Sequence, residues 1–133
     1  MIYCPDTDTC IFALRGRFPS LLENFRQLPA QRIKIPSIVR AELFLGALKS
    51  SDTKNSLHLM EKFLEPFEII SFGENEATAY ARIKFELEKG GCIIGPNDLV
   101  IAATILAHQA TLVTHNTKEF KRVPGLLVED WTQ

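Results

Sequence analysis

The stretch I-G-P-N-D-L-V-I-A-A-T-I-L-A-H-Q-A-T-L-V-T-H-N, Ile94 to Asn116, decides the fold class. Gly95–Pro96 interrupts the chain and Asn97 serves as a side-chain cap. Asp98 to His108 then reads as a helix with Ile101, Ala102 and Ile105 on one face. Almost at once comes Thr111 to Thr114, a short apolar and β-branched run bounded by polar residues, which reads as a buried strand. A helix that passes directly into a buried strand is part of a β-α-β crossover, and the same alternation extends in both directions.

Upstream, Met1 to Cys4 is a short strand ending at Pro5–Asp6, and Thr9 to Leu14 a short helix before a Gly16–Arg17 turn. Leu21, Leu22, Phe25 and Leu28 give Ser20 to Leu28 helical spacing, and Pro29 stops it. Arg32 to Ile35 is a second strand. Ser37 to Lys49 is a helix whose apolar face is read as Ile38, Ala41, Leu45 and Leu48. Asp52 caps a helix that runs to Leu64, ahead of Pro66, and Phe67 to Phe72 is a strand. Glu74 to Lys89 is a long amphipathic helix closed by Gly90–Gly91. Beyond the central stretch, Lys118 to Lys121 is a turn or short helix and Leu126 to Val128 a last strand. The expectation is one α/β domain over residues 1–133. Its central, mostly parallel sheet should hold roughly four to five short strands, with helices on both faces.

Composition narrows the function classes. The chain has 133 residues, 46% hydrophobic and 23% charged, with a formal net charge of −1. That is an ordinary globular balance, and it carries no global positive field, so any nucleic-acid contact must come from a local patch. Cys4, Cys10 and Cys92 form no C-x-x-C pair, which argues against a zinc site or disulfide framework and suits a reducing cytoplasm. No run of about 18 apolar residues offers a membrane span, and an Asp by position 6 leaves no apolar signal-peptide core.

Three acids stand where a core or cap would be expected. Asp6, with Asp8 close behind, follows the first strand, and sites in open α/β sheets form beyond strand carboxyl ends. Glu42 lies mid-helix, one turn after Ile38 and near Leu45; a carboxylate on such a face needs a cation, a metal or a salt bridge to Arg40 or Arg32. Asp98 sits in the first turn of its helix, where the dipole alone accounts for an acid, yet it shares the face of Ile101 and Ile105. Carboxylates gathered at one end of a sheet repel unless a cation sits among them. With no His or Cys nearby, such a site selects Mg²⁺ or Mn²⁺ over zinc, and the chemistry that follows is phosphodiester hydrolysis.

Four segments in order carry a resemblance: D-T-D-T-C-I at Asp6 to Ile11, S-I-V-R-A-E-L at Ser37 to Leu43, I-G-P-N-D-L-V-I-A-A at Ile94 to Ala103, and T-L-V-T-H-N-T-K-E-F at Thr111 to Phe120. With the closing V-P-G-L-L-V-E-D-W, they resemble the PIN-domain family, most closely the VapC-type toxins of bacterial toxin–antitoxin pairs. The resemblance implies an endoribonuclease that requires Mg²⁺ or Mn²⁺, forms a homodimer and is inhibited by a cognate antitoxin. Asp6, Glu42 and Asp98 match the family's three acidic positions. Many PIN domains carry a fourth acid where this chain has Asn116; Glu119, three residues on, or water would substitute, so one metal or two stays open. Asp8 stands where the family usually has Asn, and Pro5 where it has an aliphatic residue, so the first strand either ends early or is locally distorted.

On this reading Asp6 and Asp98 hold the cation, and Glu42 binds it or orients the attacking water. Thr7 or Thr114 positions a phosphate or a carboxylate, or simply caps backbone. In-line attack would leave 5′-phosphate and 3′-hydroxyl ends. Lys118, Lys121 and Arg122, with Arg15 and Arg17, are the candidate RNA contacts, and His115 is near enough to touch substrate. Two rival readings stand beside it. D-T-D-T at Asp6 to Thr9 also resembles the nucleophile motif of haloacid-dehalogenase-type phosphatases, with Asp6 attacking phosphorus and Asp8 as acid and base. That reading is opposed by Cys10, by Leu112–Val113–Thr114 coming after Asp98, and by an idle Glu42. The other rival, motivated by Asn116 and Pro5, is a degenerate PIN-like module that binds RNA or protein without cleaving.

Overall fold

In the computed structural model, which describes residues 1–133, five short strands and seven helices alternate along the chain. The strands are β1 (Tyr3–Pro5), β2 (Lys34–Pro36), β3 (Glu68–Ile70), β4 (Thr111–Val113) and β5 (Leu127–Glu129). The helices are α1 (Thr7–Leu14), α2 (Pro19–Gln27), α3 (Ser37–Lys49), α4 (Thr53–Leu64), α5 (Glu74–Lys89), α6 (Pro96–Ala107) and α7 (Thr117–Phe120), with a 3-10 turn at Ala30–Arg32. Every strand pairing is parallel. The α/β class and the strand number match the expectation.

The sheet is pinched at β1, and Pro5 explains why. Thr111 N–H donates to the Ile2 carbonyl (2.9 Å) and Asp6 N–H to the Val113 carbonyl (3.0 Å), so even-numbered positions of β1 face β4. Odd positions then face β2. There the strands meet at a single bridge, Tyr3 to Ile33, because the next rung would need a proton on the Pro5 nitrogen. The ladder therefore divides into β1-β4-β5 and β2-β3, joined at that bridge into the spatial order β3-β2-β1-β4-β5. The proline neither shortens nor bends β1 on its β4 side.

Both sheet faces are covered. Cys4, Ile35 and Leu112 point into the larger core with Val39, Leu43, Ile101 and Ile105. Val113 points the other way, against Leu21 of α2 and Trp131, with Tyr3 and Phe25 around them. Strand alternation supplies this two-sided burial.

Two local expectations are corrected. The buried stripe of α3 is Val39, Leu43 and Ala47, whereas Leu45 and Leu48 are about half exposed (51% and 49%). The helix is the expected one, but its buried row is turned about the helix axis by its packing on its neighbours. And α6 begins at Pro96 with Gly95 as its cap, so Asn97 lies inside the first turn and makes no cap hydrogen bond. Pro at the first helical position suits a helix start, since its missing N–H would have no partner there, and the Asn97 side chain points its amide elsewhere.

Candidate active site

The strand order reverses direction between β1 and β4: β2 and β3 are laid down on one side of β1, β4 and β5 on the other. A crevice opens beyond strand carboxyl ends at such a switch point. Asp6 leaves β1 there and Thr114 leaves β4, and they meet: the Thr114 hydroxyl donates to Asp6 Oδ2 at 2.5 Å. Asp6 Oδ1 accepts the backbone N–H of Thr9 (3.0 Å), so the same carboxylate is the N-cap of α1. Thr9 in turn donates its hydroxyl to the Val113 carbonyl (3.1 Å), tying α1 to β4. Thr9 went unrecognised in the sequence, since nothing local marks a Thr that bonds across a sheet. Burial pushes the Asp6 carboxyl up, and the Thr114 and Thr9 hydrogen bonds only partly offset it.

Glu42 enters from α3. Its Oε1 accepts the Thr7 hydroxyl (2.5 Å) and its Oε2 the Asn97 amide (3.1 Å), so neither Arg40 nor Arg32 neutralises it. Arg40 lies over the Phe44 ring, 5.6 Å from its centroid, and Arg32 donates to the Met1 carbonyl. Thr7 therefore positions a carboxylate, as Thr114 does. Asn97 was read only as a cap; its spacing one residue before Asp98 was the available signal.

Asp98 is half-buried in the first turn of α6. Burial first, then repulsion from Glu119, Asp6, Glu42 and Asp8, pushes its carboxyl up to about 6. Glu119, on α7, is held by the Asn116 amide and by the Gly95 N–H (3.4 Å), while Asn116 N–H donates to the Thr114 hydroxyl (2.9 Å). Asn116 thus supplies donors, and Glu119 supplies the nearby charge.

Asp98 thus feels the charge of four other acids, the five coming from four helices or their caps, and none of the five forms an ion pair. The ion pairs of the molecule lie elsewhere: Arg26–Glu23, Lys34–Glu68, His108–Glu76 and His115–Asp130. The donor set is oxygen only, since burial pushes the Cys4 thiol up to about 12 and the Cys10 thiol further from ionisation. By charge and chemistry these residues fit a hard divalent cation. As placed, no three of them stand close enough together to hold a metal ion. Each of Asp6 and Glu42 is held by its own pair of donors, which keeps like charges apart.

The remaining candidates lie on several elements. Lys118, Lys121 and Arg122 are exposed on and after α7, and Arg122 reaches the Ile93 carbonyl (3.4 Å). Arg15 and Glu42 both line a groove of about 280 Å³ whose walls include Ile11, Leu14, Leu59 and Met60. Arg17 lies over the rings of Phe12 and Phe18. His58 is exposed and distant in its contacts, and His108 pairs with Glu76 on another face. No helix is long and apolar enough to cross a membrane.

Comparison with known proteins follows the same outline. The PIN domain family model matches residues 3–126. Ribonuclease VapC2 of Rickettsia felis is 42% identical over 132 residues, covering 98% of each chain. The tRNA(fMet)-specific endonuclease VapC of Salmonella typhimurium is 35% identical over 126 residues, 95% of each chain. Among solved structures, the crystal structure of VapBC2 from Rickettsia felis bound to a DNA fragment from their promoter aligns with a TM-score of 0.92, at 42% identity, over 98% of this chain and 99% of that one.

Proposed function

Because the chain belongs to the PIN-domain family, we infer that it is an endoribonuclease of the toxin–antitoxin type, cleaving RNA phosphodiester bonds with Mg²⁺ or Mn²⁺ and held in check by a cognate antitoxin. The observation that supports metal-dependent chemistry is the repulsion of Asp98 by Glu119, Asp6, Glu42 and Asp8, none of which forms an ion pair with a lysine, arginine or histidine.

Asp6 and Asp98 are the residues that would hold the cation, with Glu42 as a third ligand or as the group that orients water. Bound there, the cation would supply charge for the phosphate and leaving oxygen and acidify a water. Thr114 fixes Asp6 through one oxygen and Thr9 N–H through the other, so its orientation is set before substrate arrives. Thr7 and Asn97 do the same for Glu42. Glu119, tethered by Asn116, adds negative charge beside Asp98 and gives the site the acid that Asn116 lacks. Lys118, Lys121 and Arg122 would neutralise RNA phosphates flanking the site.

Three free cysteines, two of them buried, support a cytoplasmic site of action. Inhibition by a partner protein is supported by the apolar groove beside Glu42 and by the neighbour described as VapBC2. An arginine offered from that groove would neutralise the acids and exclude a cation. A homodimer is part of the same reading, and light scattering would test it.

The deciding experiment is cleavage of total cellular RNA with Mg²⁺, Mn²⁺ or EDTA, comparing the wild type with Asp98→Asn. Cation-dependent products with 5′-phosphate and 3′-hydroxyl ends, lost in the variant, are expected. Cation-independent cleavage, or an active Asp98→Asn, would contradict the assignment. Retained RNA binding with no cleavage under any condition would favour the degenerate module, and a phosphorylated Asp6 the phosphatase.

A further inference from the structure

We propose that Arg17 and His115, supported from beneath by Phe12 and Phe18, form a stacking subsite for an unpaired base of the RNA; the proposal rests on the ribonuclease reading and names how its substrate is gripped.

The cluster adjoins the elements that hold Asp6. His115 directly follows Thr114, whose hydroxyl holds Asp6, and Phe12 lies on α1, which Asp6 caps. The Phe12 and Phe18 rings meet edge to face at 5.0 Å, and their centroids are 6.1 and 6.0 Å from the His115 ring. The Arg17 guanidinium lies 5.4 and 5.3 Å from the two phenylalanine centroids. Both phenylalanines are half-buried on the small core of Leu21, Val113 and Trp131, so the platform rests on packed side chains. Its outer surfaces are the exposed Arg17 and the His115 ring, 55% exposed.

Two features show that this surface is built. His115 Nδ1 is within hydrogen-bonding distance of Asp130 Oδ2 (3.2 Å) and Thr132 Oγ1 (3.1 Å), which holds the ring while more than half of the side chain stays exposed. The loop carrying Arg17 turns through Gly16 at φ 67° and Phe18 at φ 61°. A positive φ is easy for glycine and strained for phenylalanine, and such strain persists only where the surroundings over-determine it. Here the strained residue supplies the ring under Arg17.

The occupant follows from the chemistry. Exposed arginine normally seeks a carboxylate, yet Arg17 has none and lies against two rings. A flat, cationic, ring-backed surface suits a nucleobase with its phosphate, and unpaired bases are the ones with faces to offer.

The test is fluorescence anisotropy of a short labelled single-stranded RNA, in EDTA, with the intact chain, together with kcat and KM for its cleavage in Mg²⁺. Arg17→Ala, Arg17→Lys and His115→Ala are each expected to weaken binding about tenfold, with the loss in KM and not kcat. Abasic RNA of the same length should bind wild type and variants equally weakly. Arg17→Lys keeps the charge and loses the plane; wild-type affinity in that variant would reduce Arg17 to a phosphate contact and overturn the proposal. So would abasic RNA binding as tightly as the intact strand. If the wild type cleaves RNA while every variant keeps its KM, the subsite falls and the ribonuclease reading stands. If the wild type neither binds nor cleaves RNA, both fall.

Discussion

At the scale of single residues, the acids act through their mutual repulsion, and this makes stability depend on pH in a definite direction. The Asp98 carboxyl has an ordinary value of 3.8 and is pushed to about 6 in the fold. Between those values the folded chain holds more protons than the unfolded one, so stability falls as pH rises through the window and stays lower above it. Asp98→Asn is therefore expected to melt at a higher temperature than wild type at neutral pH without divalent metal, the gap closing below about pH 4. Thermal unfolding in EDTA across pH checks this; a less stable variant at neutral pH would refute it. Thr114 has the opposite role. Its hydroxyl is the nearest donor to a buried carboxylate, and Thr114→Val should cost about 1–3 kcal/mol in denaturant unfolding. Thr114→Ser should recover most of that.

At the scale of elements, ends and turns set the angles at which the acids enter. Helix α5 is anchored by Glu76, whose side chain accepts the Gly73 N–H (2.8 Å) and pairs with His108 at the end of α6 (3.0 Å). The Gly73 N–H, foremost among its partners, holds the Glu76 carboxyl below its ordinary 4.5. Its contribution is thus present above that value and lost as pH falls through the lowered one, the reverse of Asp98. Glu76→Ala is expected to lose about 1–2 kcal/mol at neutral pH, measured by urea unfolding, with the loss shrinking in acid. Because α6 carries Asp98, this change should also loosen the site, seen as faster amide exchange in the first turn of α6. At Gly16, φ 67° excludes an easy side chain, and Gly16→Ala should destabilise by about 1 kcal/mol despite open space around it.

At the scale of the whole molecule, a net charge of −1 means that RNA must be held by a patch. Affinity for a single strand should decline with salt at a slope of about −0.7 for each phosphate neutralised. Replacing Lys118, Lys121 and Arg122 together by Ala should reduce that slope by about 2 and raise KM, with kcat little changed. An unaltered slope would show that the strand runs elsewhere on the surface.

The elements themselves were legible because their signals are local: alternating short apolar runs, i, i+4 rows, Gly and Pro punctuation. Strand and helix bounds read from these signals differ from the observed ones mostly by one or two residues. The α3 stripe failed, with Leu45 and Leu48 outward and Val39, Leu43 and Ala47 inward. Periodicity identifies a helix, but which row is buried depends on how it rotates against its neighbours. The Pro5 question was likewise undecidable locally, since a missing N–H matters only on the side facing β2. Residue order alone determined an α/β chain with acids at Asp6, Glu42 and Asp98. Only the tertiary structure decided that Asp98 feels the charge of Asp6, Glu42, Asp8 and Glu119, that Thr7 and Asn97 hold Glu42 and Thr114 holds Asp6, and that none of these acids forms an ion pair. Those facts depend on side chains up to 108 positions apart, brought together by strand order and helix packing, which no local pattern encodes.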